Sequence, residues 1–116
     1  MSSITKLPPR KVQPITDDLP GWTKVEGDPS MTTWVEYTAK DESMIAGWWT
    51  ATPGTYHAKY ASWEFVHMIE GKVVITAKGE DAVEVGPGDA FVIEAGFDGT
   101  WEIKEPVLKH FTIRLK

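Results

Sequence analysis

From Thr32 onward the chain falls into short runs of strand-forming residues, and that excludes most folds. The runs are TTWVEYTA (32–39), MIAGWWTATPG (44–54), TYHAKYASWEFVHMIEG (55–71), KVVITA (72–77), AVEVGPGDAFVIEAG (82–96), TWEIKEP (100–106) and the closing VLKHFTIRLK. They are rich in β-branched and aromatic side chains, which pack well on a pleated surface. Pro53-Gly54, Lys78-Gly79-Glu80-Asp81, Gly86-Pro87-Gly88-Asp89 and Glu105-Pro106 read as turns between them. In the third of these, glycine supplies unusual φ values and Asp89 can bond the turn backbone. No helix follows it, so a phosphate-cradling loop is a poor reading. Short strands with turn signals at this spacing indicate a sandwich or barrel. No segment long enough for a helix keeps helical periodicity.

The first thirty residues differ. They carry Pro8, Pro9, Pro14, Pro20 and Pro29 and little periodicity. They read as an extended arm (1–30), leaving 31–116 as the strand domain. A chain of 116 residues implies one domain with one core. A net charge of −5 argues against nucleic acid and anionic membrane as partners. The absence of cysteine excludes disulfides, thiolate zinc sites and a cysteine nucleophile. No apolar run approaches the ~20 residues of a membrane-spanning helix, and the start lacks the apolar core of a secretory signal. A cytoplasmic location is the default expectation.

Side-chain alternation singles out one residue. In WEFVHMI, Glu64, Val66 and Met68 share one face, and Trp63, Phe65, His67 and Ile69 share the other. Neither face is polar, so both are expected to be covered. A carboxylate between Val66 and Met68 is costly unless it is paired, hydrogen-bonded or bound to an ion. Six tryptophans, at 22, 34, 48, 49, 63 and 101, supply core or an aromatic-lined cavity.

These motifs together resemble a known family. Glu64 followed by Gly71 reproduces the end of the first cupin motif, and Gly88-Asp89, Phe91-Val92-Ile93 and Gly96 are similar to the start of the second. Residues 44–113 resemble the small single-domain cupins related to (S)-ureidoglycine aminohydrolase, members of the RmlC-like superfamily. The resemblance implies an all-β, double-stranded β-helix: a jelly-roll barrel of two facing antiparallel sheets. It also implies a homodimer, and exposed sheet edges favour such pairing.

Metal-binding cupins place His-x-His-x-x-x-Glu ahead of that glycine. The corresponding positions here are Ala58, Tyr60 and Glu64, with the last ligand near Gly99 or Thr100. Glu64 is the only strong candidate ligand, and a first-row metal usually needs three or four. No metal site and no cofactor is therefore expected, with a divalent ion as the alternative. His57 and His67 point away from Glu64 by strand parity.

The candidate small-molecule site comprises Glu64 and Tyr60, in catalytic or binding roles, with Tyr56, Trp49, Thr100, Trp101 and His110. Lys109 and Arg114 stay open because the turn at Pro106 hides the register of the last strand. Without a cation on the Glu64 face, the expected ligands are amines, amides, ureido compounds or polyols, and phosphates are disfavoured. Three functions remain open: a small-molecule binding cupin, a metal-dependent enzyme of small nitrogen compounds, and a structural or accessory domain.

Overall fold

The structure, a computed structural model, describes residues 3–115; Met1, Ser2 and Lys116 lie outside the described residues. Eight strands form: β1 (Trp22–Glu26), β2 (Met31–Thr38), β3 (Met44–Ala51), β4 (Gly54–Lys59), β5 (Trp63–Ala77), β6 (Val83–Val85), β7 (Ala90–Ile93) and β8 (Asp98–Arg114). No helix forms among the described residues.

Two strands are far longer than the sequence runs suggest. β5 has 15 residues and β8 has 17, and they pair antiparallel from Trp63↔Arg114 to Ala77↔Gly99. The first half of β5 also pairs with β7, and its second half with β6. The second half of β8 pairs with β3, and its first half with β4. Two curled sheets result, β2-β3-β8-β5-β7 and β1-β4-β8-β5-β6, with β5 and β8 belonging to both. This is the double-stranded β-helix expected from the motifs.

The strand connecting both sheets must bend, and Gly71 marks the bend. Its φ is +99°, and the β5–β8 register shifts on either side of it. A Cβ there would lie 2.4 Å from the Pro106 carbonyl oxygen. Glu105-Pro106 is therefore not a turn. β8 runs through it, because the ladder is already interrupted by bulges and the missing proline N–H costs nothing there.

The arm is also more structured than its prolines imply. Residues 22–26 form β1 and pair with β4, with Trp22 opposite Ala58. Ile15 and Thr33 exchange backbone hydrogen bonds of 2.8 and 2.9 Å. Further out, Trp48 Nε1 donates to the Pro8 carbonyl at 3.2 Å, and the Arg10 guanidinium lies over the Trp34 and Trp48 rings. The arm thus packs along its own barrel.

The core lies between the sheets and includes Met31, Trp49, Tyr56, Val66, Met68, Val73, Trp101 and Phe111. Burying each such aliphatic side chain contributes roughly 1.5–3 kcal/mol. Glu64, Val66 and Met68 face inward as alternation requires. The other face of β5 is not covered within the chain: Phe65 is 38% exposed and His67 is exposed as well.

Candidate functional site

Three ionisable side chains meet inside the barrel. Tyr60 sits in the link between β4 and β5, its backbone N–H held by the Phe97 carbonyl and its carbonyl by the Gly96 N–H. Glu64 is the second residue of β5, and Lys109 comes from the second half of β8. Tyr60 Oη donates to Glu64 Oε1 at 2.7 Å, and Lys109 Nζ donates to Glu64 Oε2 at 2.9 Å. Glu64 is 4% exposed and Lys109 2%. Both carboxylate oxygens are thereby engaged.

Lys109 also lies between two indoles. Its Nζ is 4.4 Å from the Trp49 ring centroid and 4.5 Å from that of Trp101. Trp22 packs at 5.6 Å from Trp49 and 5.3 Å from Trp101, closing an aromatic cage. Withdrawing two ions from water costs several kcal/mol per ion. The charge-assisted hydrogen bond and the ring quadrupoles, about 2 kcal/mol per desolvated ring, offset that cost. Burial pushes the Lys109 ammonium below the usual lysine range, and the Glu64 charge partly restores it. Burial, then the Glu64 carboxylate, hold the Tyr60 phenol well above its ordinary value. An ammonium, a carboxylate and a phenol linked in this way can exchange protons without solvent.

A cavity of about 360 Å³ opens beside the three groups. Its walls are mainly apolar, from Leu19, Trp22, Val35, Ile45, Phe111 and Ile113, while Tyr60, Glu64 and Lys109 are polar groups on its lining, with Lys59 and Ser62 on it as well. Leu19 and Trp22 are seated by a turn in which the Trp22 N–H bonds the Leu19 carbonyl. Thr33 also lines the cavity, and its buried hydroxyl has no partner among the described residues. A larger hollow of about 520 Å³ lies along β6 and β7, but Lys78, Glu80, Asp81 and Glu94 on its lining are solvent-exposed.

The expected site residues divide into three groups. Trp49, Tyr60 and Glu64 line the cavity, and Trp101 stands behind Lys109. Tyr56 faces inward, but its hydroxyl donates to Asp18 Oδ1 at 2.7 Å and does not reach Glu64. Thr100 and His110 do not belong to the site. Thr100 neighbours the inward Trp101 on one strand, so it turns out beside His57. His110 neighbours Lys109 and packs against Trp48 on the outer face, with centroids 3.9 Å apart and the rings tilted by 57°. His57 pairs with Asp98 at 2.5 Å, and His67 lies near His110, as strand parity requires.

Sequence reasoning left Lys109 open and put Trp22 in the arm. The signal for Lys109 was present: Val107, Lys109, Phe111 and Ile113 alternate as one mainly apolar stripe. A lysine there raises the same question as Glu64 between Val66 and Met68.

The residues do not fit the metal found in many barrels of this kind. Ala58 carries no ligand atom, Thr100 points away, and a lysine ammonium already bonds the one carboxylate. No three His, Cys, Asp or Glu side chains converge among the described residues.

Fold and motifs define a cupin. The profile of the EutQ-like cupin domain matches residues 38–111, and the chain belongs to that family. An ethanolamine utilization protein Q from Salmonella typhimurium is similar in structure, with a TM-score of 0.63 and 17% identity over 75% of this chain and 69% of that one. A DUF861 family protein from Thermotoga maritima matches with a TM-score of 0.54 and 26% identity, over 55% of this chain and 73% of that one. The cupin domain of Schizosaccharomyces pombe Cnp3 matches with a TM-score of 0.64 and 13% identity, over 74% and 65% of the two chains. No curated protein matches the sequence.

Proposed function

We propose that this barrel binds a small molecule in the cavity beside Glu64, without a divalent ion. The observation that carries this reading is the buried Glu64–Lys109 pair, hydrogen-bonded to Tyr60, on the lining of a mainly apolar hollow. Pockets that pair apolar walls with a few convergent polar groups suit small ligands. Lys109 changes the ligand class expected from sequence. Its charge is matched by Glu64, so the buried end is neutral in sum, with the exposed Lys59 on the cavity's lining as well, and ligands with one polar group on an apolar body fit best. Amides and ureido compounds, suggested by the resemblance to ureidoglycine aminohydrolase, belong to that class. Strongly anionic phosphates remain disfavoured at the buried end, where the charges of Glu64 and Lys109 cancel. A metal-dependent hydrolase has no support from the donor set.

The test is a thermal-shift screen of ureido compounds, amides, small amines, polyols and organic phosphates on wild type and Glu64→Gln. Neutral compounds should stabilise the wild type selectively. Stabilisation by phosphates alone, unchanged in Glu64→Gln, would place the working site elsewhere.

A homodimer and a cytoplasmic location belong to the same proposal. The outer face of β5, with Phe65 38% exposed beside His67, supports the first; the cysteine-free composition fits the second. Sedimentation of wild type against Phe65→Asp checks the dimer: wild type should run at twice the chain mass and the variant at one.

A further inference from the structure

We propose that Lys109 is an amine nucleophile that forms an imine with a small aldehyde or ketone held in the cavity. This rests on the binding reading above and specifies its ligand class.

Three observations converge on it. Lys109 is among the residues that line the cavity. Its proton has a place to go, since Glu64 Oε2 is 2.9 Å away. The phenol of Tyr60 donates to the other carboxylate oxygen, and Tyr60 lines the same cavity. Burial also favours the free amine. An ordinary lysine at pH 7 is neutral in only about 1 molecule in 2,500, and a buried one beside an acceptor is activated for this chemistry.

The step balances within these groups. Lys109 passes a proton to Glu64, and the freed lone pair adds to the carbonyl carbon. The C=O π pair moves to oxygen, which takes the proton from Glu64. The nitrogen of the adduct then returns a proton to Glu64, which delivers it to the hydroxyl as that leaves as water. The nitrogen lone pair closes the C=N bond. One ammonium and one carbonyl compound become one iminium and one water. The iminium keeps the single positive charge, so Glu64 and the indole faces of Trp49 and Trp101 continue to hold it. The apolar walls favour an aliphatic or aromatic carbonyl compound over a charged one.

The experiment is reductive trapping on the intact chain. Wild type is incubated with propanal and sodium cyanoborohydride at neutral pH, and the N-propyl groups are mapped by peptide mass spectrometry. The adduct should appear on Lys109 clearly faster than on any surface lysine. Glu64→Gln should slow it, and Lys109→Arg should leave only the slow surface reaction. Thermal shift with 1-propanol, which cannot form an imine, runs in parallel. Stabilisation by propanol with no Lys109 adduct overturns the imine and leaves the binding reading intact. Neither stabilisation nor an adduct overturns both. Adducts confined to surface lysines at every aldehyde concentration show that Lys109 is only a structural ion-pair partner.

Discussion

Lys109 Nζ lies 2.9 Å from Glu64 Oε2, and the two residues stand 45 positions apart in the chain. β8 and β5 are therefore locked together by a charge pair as well as by their ladder. Breaking a buried pair on one side leaves an uncompensated charge, which typically costs about 3–5 kcal/mol. Glu64→Gln and Lys109→Met should each destabilise by that order. The double variant should cost clearly less than their sum, because it leaves no lone ion. Urea denaturation of the four proteins gives the coupling, and strict additivity would show that the pair does not interact in solution.

His110 makes stability depend on mild acid. Burial, then the neighbouring His67, lower its pKa below the ordinary value of 6.5. Between the lowered value and 6.5 the unfolded chain binds more protons than the folded one. Stability should therefore fall as pH drops through 6.5 and level off below the folded-state value. Urea midpoints measured from pH 8 to 5 should lose part of this slope in His110→Gln. An identical slope in the variant would assign the effect to other groups.

The tryptophans should separate by location. Trp49 is 2% exposed and Trp101 0%, while Trp63 is only half-buried on the outer face. Trp→Ala at 49 or 101 should cost on the order of 3–5 kcal/mol, and each also removes one wall of the lysine cage. In the monomeric Phe65→Asp background, Trp63→Ala should cost distinctly less in the same denaturation assay. Equal losses at all three sites in that background would mean that Trp63 is packed within its own chain.

Gly71→Ala tests the bend. The new methyl would meet the Pro106 carbonyl oxygen at 2.4 Å, on a backbone with φ of +99°. The three nearest atoms, from Pro106 and Val107, are all backbone, so none can swing aside. The variant should express poorly or melt well below wild type. A wild-type melting temperature would contradict the assigned geometry.

How far the sequence could be read depended on which residues carried their own register. Glu64 was legible because Val66 and Met68 fix its facing over a short uninterrupted run. Trp49 and Trp101 announce burial by size alone. Lys109 lay beyond Pro106, and a proline taken as a turn resets the alternation count; only the bulge opposite Gly71 shows that the strand continues. Thr100 and His110 each sit one residue from an inward side chain, and in a strand one residue reverses the face. Trp22 was hidden by prolines that break periodicity on both sides, although β1 needs only a few residues to complete a sheet edge.

Because β5 and β8 each run through both sheets, the central ladder of one sheet continues into the other. Loss of the β5–β8 pairing in one half removes the frame that β6 and β4, or β7 and β3, require in the other. The barrel should consequently behave as a single cooperative unit. Its slowest-exchanging amides, drawn from both sheets, would share one opening free energy. Any ligand seated against Glu64 and Lys109 would then protect residues on the far side of the molecule as strongly as those it touches.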